Sequence, residues 1–284
     1  MPLSGWIRNR RHRLAERALE RQLQYQRERA TTSADRDVSV PKAMAEHSRI
    51  VREKLSKFVL IGEDARVLEV GSGSEGLIFF FGCKNGIGVD PLADEYAKLL
   101  PWHRGTKTLR AFGENLPFED AAFDVVLCDN VIDHAEDPPQ IVEELVRVLR
   151  PGGVLYFTVN VHHPFWHVAA TAHGIWRAIG IPIEISPFAD HTVHLTPLRA
   201  RALFEPFPLK IVSVCDTVSE TKRSDRRTPI RHIGDLPKKI FYKNANLEVI
   251  AVRSKTGCAD ELQLRPGGRP GEGQLNNRQT QLHQ

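Results

Sequence analysis

The chain contains few cysteines, and none of them lies close in sequence to another. Cys83, Cys128, Cys215 and Cys258 are spread over 284 residues, and no C-x-x-C pair occurs. Structural zinc sites and dithiol redox centres usually need such pairs, so we expect neither of them here. Cys83 and Cys128 stand among apolar residues and are predicted to be buried thiols rather than disulfide partners.

Long apolar runs are also absent from the sequence. No segment reaches the roughly 20 consecutive apolar residues of a membrane-spanning helix, and the N-terminus has no apolar signal core. Hydrophobic residues make up 41% of the chain and charged residues 26%, which is ordinary for a soluble globular protein. We therefore expect a cytoplasmic protein.

The net charge is only +4, but the basic residues are concentrated in particular segments. Met1–Ala30 is rich in arginine and carries a weak apolar stripe at helical spacing, so residues 1–37 are predicted to be a basic helical arm and linker. An alternative is that the arm contacts an anionic membrane surface, which would make the protein membrane-peripheral, or an acidic partner. A second basic stretch is Ser219–Lys243, and residues 255–284 have the composition of a disordered tail.

The stretch Arg66–Pro91, RVLEVGSGSEGLIFFFGCKNGIGVDP, has the pattern of a ligand-binding turn between two strands. Val67–Val70 is a short apolar run with β-branched residues, typical of a strand buried in a parallel sheet. Gly71 and Gly73 follow, and glycines allow a tight turn that lets backbone N–H groups approach a ligand. A second apolar segment ends in Asp90, whose carboxylate is well placed for a ribose diol. The pattern predicts a nucleoside-containing cofactor across the ends of the two strands.

The glycine pattern alone leaves three interpretations open. Gly71–Gly76 also fits the G-x-G-x-x-G motif of dinucleotide-binding proteins, with an acidic residue about 20 positions after the first glycine. The loop therefore does not separate a nicotinamide enzyme from an S-adenosylmethionine (SAM) enzyme. The third interpretation is a tight turn between a strand and a helix, with no ligand.

Strand and helix patterns alternate along the rest of the chain. The predicted strands are Val67–Val70, Ile87–Val89, Thr106–Ala111, Phe123–Cys128, Val154–Val159, Leu209–Val218 and Leu247–Arg253. The predicted helices are Pro41–Phe58, Leu92–Leu100, Ile141–Leu149 and Leu198–Phe204, with Asp137 as an N-cap before the third. Such alternation predicts a parallel sheet with right-handed crossovers, and the last two strands are expected to pair antiparallel at its edge.

The segment His162–Thr196 breaks the alternation and is rich in histidine, proline and aromatic residues. A long insertion after the carboxyl end of a strand is where α/β proteins commonly build a substrate site, so we predict a substrate cap. The histidines also raise the question of a metal site. However, Pro164 stands between His163 and His167, and no H-E-x-x-H motif occurs, so no metal is predicted.

Five motifs occur in the order and at the spacing of a known family. They are Val67–Gly73 (VLEVGSG), Gly88–Pro91 (GVDP), Glu114–Phe118 (ENLPF), Phe123–Val126 (FDVV) and Leu149–Gly153 (LRPGG). Through them, residues 65–160 resemble a class I SAM-dependent methyltransferase of the small-molecule, ubiquinone-methylase-like branch. The resemblance implies SAM as the cofactor and disfavours nicotinamide.

The resemblance also implies the fold, and the compositions of the linker and the tail set the domain boundaries. The fold class is α/β, with a Rossmann-like, doubly wound, mostly parallel seven-stranded sheet and an antiparallel edge strand. The domain would span residues 38–254, with the cap at about 161–197 after the fifth strand.

A cofactor site follows from the resemblance, residue by residue. Glu69 and Gly71 would line the methionine end of SAM, and Ser72 belongs to the same loop. Gly73 would let the backbone pass close under the ligand. Asp90 would accept hydrogen bonds from both ribose hydroxyls.

The remaining implied contacts come from later loops. Pro91 or Leu92 would pack on the adenine, and Gly113 and Glu114 would contribute to its binding; the alternative for Glu114 is an exposed acid of the loop. Family members often carry an acidic residue two positions before this glutamate, where Phe112 stands here. Either Phe112 packs on the ring and Gly113 and Glu114 supply backbone contacts, or the adenine is held less specifically. Asp129 would lie near the methionine part and the transferring methyl group.

Methyl transfer from a sulfonium depends mainly on alignment of the acceptor and exclusion of water. A hydroxyl acceptor would gain from a general base, and the candidates are His134, His162 and His163, each of which also suits a packing role. We expect methylation, at oxygen, of a small molecule or of a glycan- or lipid-linked acceptor. The alternative is a non-catalytic SAM-fold protein that binds a partner through its basic arms. A nucleic acid acceptor is disfavoured because Asp129–Ile132 lacks the N/D-P-P-Y/F motif.

Overall fold

The structure, a computed structural model, describes residues 19–29, 36–166, 168–169, 195–230 and 235–255, without the side chain of His134. Its seven strands are β1 Arg66–Val70, β2 Asn85–Val89, β3 Lys107–Leu109, β4 Phe123–Asp129, β5 Leu149–Val161, β6 Leu209–Asp216 and β7 Ala245–Arg253. They form one sheet in the order β3-β2-β1-β4-β5-β7-β6. Strands β1 to β5 pair in parallel, and β7 is antiparallel to both β5 and β6. The expected mostly parallel sheet with an antiparallel pair at one edge is confirmed.

The helices are α1 (residues 19–29), α2 Arg36–Leu55, α3 Ala93–Leu99, α4 Pro138–Val148, α5 Pro197–Ala202 and α6 Val218–Arg227. Helix α4 begins as predicted, because the Asp137 carboxylate accepts a hydrogen bond from the N–H of Gln140 at 3.4 Å. Within the described ranges, no helix has both the length and the apolar character needed to cross a bilayer.

Helix α2 starts five residues before the predicted start and includes Pro41. Arg36 in its first turn is buried, and its guanidinium donates hydrogen bonds to the side chains of Gln26 and Glu75. These tertiary contacts hold the first turn and outweigh the backbone hydrogen bond that a proline cannot donate. The sequence pattern contains no sign of such long-range contacts.

The glycine turn leads into a short 3₁₀ helix, Leu77–Phe80. The buried carboxylate of Glu69 accepts hydrogen bonds from the N–H groups of Leu77 and Ile78, at 3.0 and 2.8 Å. These bonds satisfy two donors at the start of the turn, and the chain then passes directly into β2 at Asn85.

The core has two layers, one on each face of the sheet. Alternate residues of the central strands point to opposite faces, so Leu68 and Val126 belong to one apolar cluster and Val67 and Val125 to the other. Helix α4 covers the first face, whereas α2 and the Leu77–Phe80 turn cover the second.

Of the two cysteines that were predicted to be buried, one is fully buried in the structure. Cys128 is a buried free cysteine, Cys83 is half-buried and Cys215 is exposed, while Cys258 lies outside the described residues. The described residues contain no group of three or more histidine, cysteine, aspartate or glutamate side chains that could hold a metal.

Candidate cofactor site

The carboxyl ends of β1, β2 and β4 meet at one edge of the sheet, and a cavity of about 490 Å³ lies there. The predicted cofactor residues that line this cavity are Gly71, Gly73, Asp90, Pro91, Gly113 and Glu114. These residues come from three separate loops, so the sheet topology brings together what the sequence holds apart.

Asp90 follows β2 and links the glycine loop to the start of α3. Its carboxylate accepts hydrogen bonds from the N–H of Gly73 at 2.9 Å and from the N–H of Leu92 at 2.8 Å. Burial raises the pKa of Asp90, although both N–H groups favour the charged form. A carboxylate has about four lone-pair positions, so it can accept further hydrogen bonds from donors in the cavity. Asp90 is therefore suited to bind a diol.

The glycine loop approaches the cavity in a conformation that favours glycine. Gly71 and Gly73 have φ values of 72° and 52°. A Cβ atom at Gly71 would lie 2.2 Å from a methyl carbon of Val131. The N–H groups of Gly71 and Ser72 both donate to the carbonyl of Val89, at 2.7 and 3.0 Å, and hold the loop against the end of β2. A larger residue at position 71 would move the loop or Val131 into the cavity.

Apolar side chains and Glu114 form the walls beyond Asp90. Leu92, Phe112 and Ile141 line the cavity, and Phe112 stands where the family often has an acid. Glu114 Oε1 accepts hydrogen bonds from the N–H groups of Glu136 and Asp137, at 3.1 and 3.4 Å. Glu114 therefore ties its loop to the start of α4, and its contact with adenine stays a prediction.

Asn130, rather than Asp129, faces the cavity at the end of β4. The Asp129 carboxylate accepts a hydrogen bond from the hydroxyl of Thr158 on β5. Asn130 has φ of 58°, and its Oδ1 accepts a hydrogen bond at 2.6 Å from Asn160 Nδ2, which also donates to Asp133 at 3.2 Å. A polar row thus runs along the ends of β4 and β5 beside the cavity.

Glu69 and Ser72 also point away from the cavity. Both Glu69 oxygens accept backbone N–H groups of the 3₁₀ turn, and burial raises the pKa of Glu69 to about 8 despite these hydrogen bonds. The Ser72 hydroxyl faces β2, where a Cβ atom at Gly88 would lie 2.8 Å from it. Loop and strand contacts therefore turn the side chains of Glu69, Ser72 and Asp129 away from the cavity, and their contacts with the cofactor stay predictions.

Helix α1 forms a wall of the cavity that the sequence analysis missed. Its lining residues are Leu19, Arg21, Gln22 and Tyr25. Leu19 and Leu23 pack on an apolar cluster formed by Leu92, Tyr96 and Leu100, and Gln22 forms a hydrogen bond with the Tyr96 hydroxyl. The weak apolar stripe was the sequence signal for this contact, but the composition had suggested a solvated arm.

Ion pairs hold the same end of the chain against the glycine loop. The Glu75 carboxylate lies 3.2 Å from a guanidinium nitrogen of Arg29 and 3.4 Å from one of Arg36. The Arg36 guanidinium also lies over the Trp102 ring, 5.4 Å from its centre. Residues 19–29 are therefore part of the site, whereas residues 1–18 lie outside the described part of the chain.

Two of the predicted catalytic histidines, His162 and His163, do not line the cavity. His162 is buried, and its Nδ1 accepts a hydrogen bond from the N–H of Asn244 at 3.2 Å. His163 is half-buried; burial and the nearby Lys222 lower the pKa of His163, which favours its neutral form. Most of the predicted cap (residues 170–194) and the His134 side chain lie outside the described part.

The chemistry of the cavity fits SAM. Asp90 supplies the acceptor for a ribose diol, Leu92 and Phe112 supply apolar surface for a purine, and Gly71 leaves room for close backbone contact. These features come from the described residues themselves.

Comparison with known proteins agrees with this assignment. Residues 68–157 match the family model described as "Methyltransferase domain". The chain is 43% identical over 88 residues to the uncharacterized protein MJ1123 of Methanocaldococcus jannaschii, covering 31% of this chain and 41% of that protein. It is 39% identical over 97 residues to an uncharacterized methyltransferase of Mycobacterium sp. strain JLS, covering 33% and 38%. The chain thus spans about two fifths of the length of these curated relatives.

Solved structures share the fold at low sequence identity. The YcgJ protein of Bacillus subtilis has a TM-score of 0.51 at 15% identity, covering 74% of this chain and 99% of that one. Geranyl diphosphate C-methyltransferase from Streptomyces coelicolor has a TM-score of 0.52 at 15% identity, covering 78% and 85%. The family match assigns residues 68–157 to a methyltransferase domain, and the sheet order, the five motifs and the shared fold agree with a class I SAM-dependent methyltransferase.

Proposed function

We propose that the protein transfers a methyl group from SAM to an acceptor bound beside Asn130 at the carboxyl edge of the sheet. The observation that carries the proposal is the cavity that joins the Gly71–Gly73 loop, Asp90 and Asn130. Such a site needs one end that binds adenosine and a polar end that binds the acceptor.

The cofactor would be held by residues at one end of this cavity. Asp90 would accept the ribose hydroxyls, and its hydrogen bond to the Gly73 N–H would fix it against the loop. Leu92 and Phe112 would enclose the purine, and α1 would cover the ligand through Gln22 and Tyr25. Bound SAM supplies an activated methyl group on a sulfonium, with a neutral leaving group.

The protein's own part in the reaction would be to position the acceptor and exclude water. Asn130 is restrained through its Oδ1 by Asn160, which leaves its Nδ2 to donate to an acceptor oxygen. Asp133 holds the other side of Asn160. This row would place the acceptor without a charged group at the reacting atom.

We propose an oxygen nucleophile on a small molecule or on a glycan- or lipid-linked acceptor. The β6–β7 connection at the same edge carries seven basic and three acidic side chains in residues 218–230 and 235–243. Such a field disfavours a cationic amine as the acceptor. Burial and the nearby Lys222 lower the pKa of His163, which stands on this side and is the candidate base.

A screen with methyl-tritiated SAM tests the enzyme against the non-catalytic alternative. The full chain would be incubated with fractionated cell extract and with panels of sugars, quinones and phenols, and S-adenosylhomocysteine would be measured. Stoichiometric transfer of label to an acceptor, lost in Asp90→Asn, is expected. Tight SAM binding without S-adenosylhomocysteine in any fraction would favour a binding module. Label on carbon or nitrogen would refute the oxygen assignment while keeping methyl transfer.

A further inference from the structure

The connection between β6 and β7 is a surface that the cofactor site does not use. It comprises residues 218–230 and 235–243 in the described chain. Asp216, at the end of β6, and Val159, near the end of β5, both pair with Leu247 of β7 in the sheet. The connection therefore leaves the sheet at the carboxyl edge, on the side of the polar row where the acceptor is proposed to bind.

We propose that this connection is a docking surface for an anionic lipid bilayer. The basic side chains are the first part of the argument. Helix α6 has no buried residue, and Arg223, Arg226 and Arg227 on it are exposed. No carboxylate in the described residues forms an ion pair with any of these three arginines. Such charges are available to lipid phosphates.

Exposed aliphatic side chains lie among these charges. Ile230 is 53% exposed, Leu236 49% and Ile240 70%, although each is large and apolar. Phe165, at the start of the cap, is also exposed and stacks on the Phe241 ring at a centroid distance of 4.2 Å. Basic side chains mixed with apolar ones suit the boundary between headgroups and acyl chains.

Two lysines, Lys238 and Lys239, form contacts within the surface. Lys239 donates hydrogen bonds to the carbonyls of Asp225 and Arg226, at 2.8 and 3.3 Å, and to the carbonyl of Thr228. The turn that carries Leu236 and Ile240 is thereby fixed beside the C-terminal end of α6. Lys238 pairs with Asp235 at 2.8 Å. These contacts hold residues 225–228 and 235–239 in place relative to one another.

The mixture of basic and aliphatic side chains on this surface favours a bilayer over a protein partner. The cores of protein interfaces are depleted in charged residues, and they favour aromatic side chains. Here the three exposed arginines of α6 stand beside isolated aliphatic side chains, an arrangement that matches an anionic headgroup layer with shallow apolar insertion. Docking through this surface would turn the acceptor side of the sheet toward the membrane.

The test is co-sedimentation of the full chain with phosphatidylcholine vesicles, with and without phosphatidylglycerol. We expect binding to the anionic vesicles alone, reduced more than about tenfold by the triple variant R223E/R226E/R227E. The variant Leu236→Ser/Ile240→Ser should also weaken binding, and increasing salt should weaken the wild type.

Matched controls lie at the opposite edge of the sheet. Lys57, Lys84 and Lys107 are exposed residues near the starts of β1, β2 and β3, so K57E/K84E/K107E changes the net charge equally. Leu60, 93% exposed before β1, provides Leu60→Ser as the apolar control. Both controls should bind vesicles as the wild type does.

Several outcomes would overturn the docking surface. These are no vesicle binding by the wild type, equal loss in the control triple variant, or retention on poly-glutamate without vesicle binding, which would indicate an acidic protein partner. SAM affinity, measured without vesicles for every variant, verifies folding. It also separates this proposal from methyl transfer, since docking does not depend on activity.

Discussion

The carboxylate of Asp90 and the backbone N–H of Gly73 form a hydrogen bond of 2.9 Å, which joins the end of β2 to the loop that follows β1. The bond uses one oxygen, and the N–H of Leu92 uses the other. The same carboxylate thus shapes the glycine loop and faces the cavity. Loss of Asp90 should therefore affect both ligand contact and loop position.

Asp90→Ala is expected to weaken SAM binding by about 1.5–3 kcal/mol, the cost of removing a charged hydrogen-bond partner. Isothermal titration calorimetry measures the change directly. Asp94→Ala, which removes an exposed carboxylate from α3 outside the cavity, should leave the affinity unchanged. Equal affinities for wild type and Asp90→Ala would remove Asp90 from the site.

Gly71→Ala is expected to lower the free energy of unfolding by about 1–3 kcal/mol and to weaken SAM binding, because the added methyl meets Val131. Thermal denaturation and calorimetry would detect these effects. Gly105→Ala is the control for backbone strain, since Gly105 has φ of 96° but a Cβ atom added there would have no neighbour within 4 Å.

A second substitution separates the clash from the strain. Val131→Ala in the Gly71→Ala background should restore part of the lost SAM affinity, because it removes the methyl carbons that meet the new Cβ. If Gly105→Ala costs as much as Gly71→Ala and Val131→Ala restores nothing, strain alone accounts for the effect.

Removal of residues 1–30 is expected to weaken SAM binding by about 1 kcal/mol or more, because α1 contributes apolar and polar wall to the cavity. Removal of residues 256–284 should have no effect. Composition alone would predict that both ends are dispensable. A matched pair sharpens the test: Gln22→Ala should weaken binding, whereas Gln24→Ala, on the exposed side of α1 beside Glu28, should not. Unchanged affinity after truncation would show that α1 is not needed to hold the ligand.

Glu69 is expected to make stability fall as pH rises. Its pKa is about 8 in the folded chain and 4.5 as the ordinary value, so between these values the folded state holds a proton that the unfolded state has lost. The stabilisation that the raised pKa of Glu69 gives to the folded state is complete below the unfolded-state pKa. It is lost as pH rises to the folded-state pKa, by up to about 1.4 kcal/mol per pH unit.

Urea denaturation of wild type and Glu69→Gln across this pH window measures the effect. The stability of wild type relative to Glu69→Gln should decrease with pH. Glu143→Gln removes an exposed carboxyl from α4. Its free energy of unfolding should change with pH in parallel with that of the wild type. A wild-type curve that stays parallel to the Glu69→Gln curve would mean that Glu69 is ionised in the folded state throughout.

Asn160→Ala and His163→Ala are expected to slow methyl transfer while SAM affinity stays within about 0.5 kcal/mol, since neither residue lines the cavity. For His163→Ala a loss of about 10²–10⁴-fold would indicate a general base, and a smaller loss a positioning role. His162 is less suitable alone, because it is buried and its removal leaves the Asn244 N–H without its acceptor. Asn246→Ala on the neighbouring strand is the control for Asn160. Full activity in both variants would move attention to Asp133 and His134.

The sequence by itself determined the strands around the ligand and the order of the motifs. Val67–Val70, Gly71 and Asp90 are local features, because a β-branched run, a left-handed turn and a residue at a strand end are dictated by neighbouring residues. The antiparallel pair formed by β6 and β7 followed from strand patterns and was confirmed by the pairing. These elements needed no knowledge of distant contacts.

Only the tertiary structure decided which side chains face the cavity. Glu69 turns to the 3₁₀ turn because two N–H groups, brought there by folding, take its oxygens. Asn130 rather than Asp129 lines the cavity because the residue that follows β4 is left-handed. Helix α1 joins the site because Arg36 binds Gln26 and Glu75 pairs with Arg29. Burial, long-range hydrogen bonds and ion pairs act between residues far apart in the chain, so no local pattern encodes their outcome.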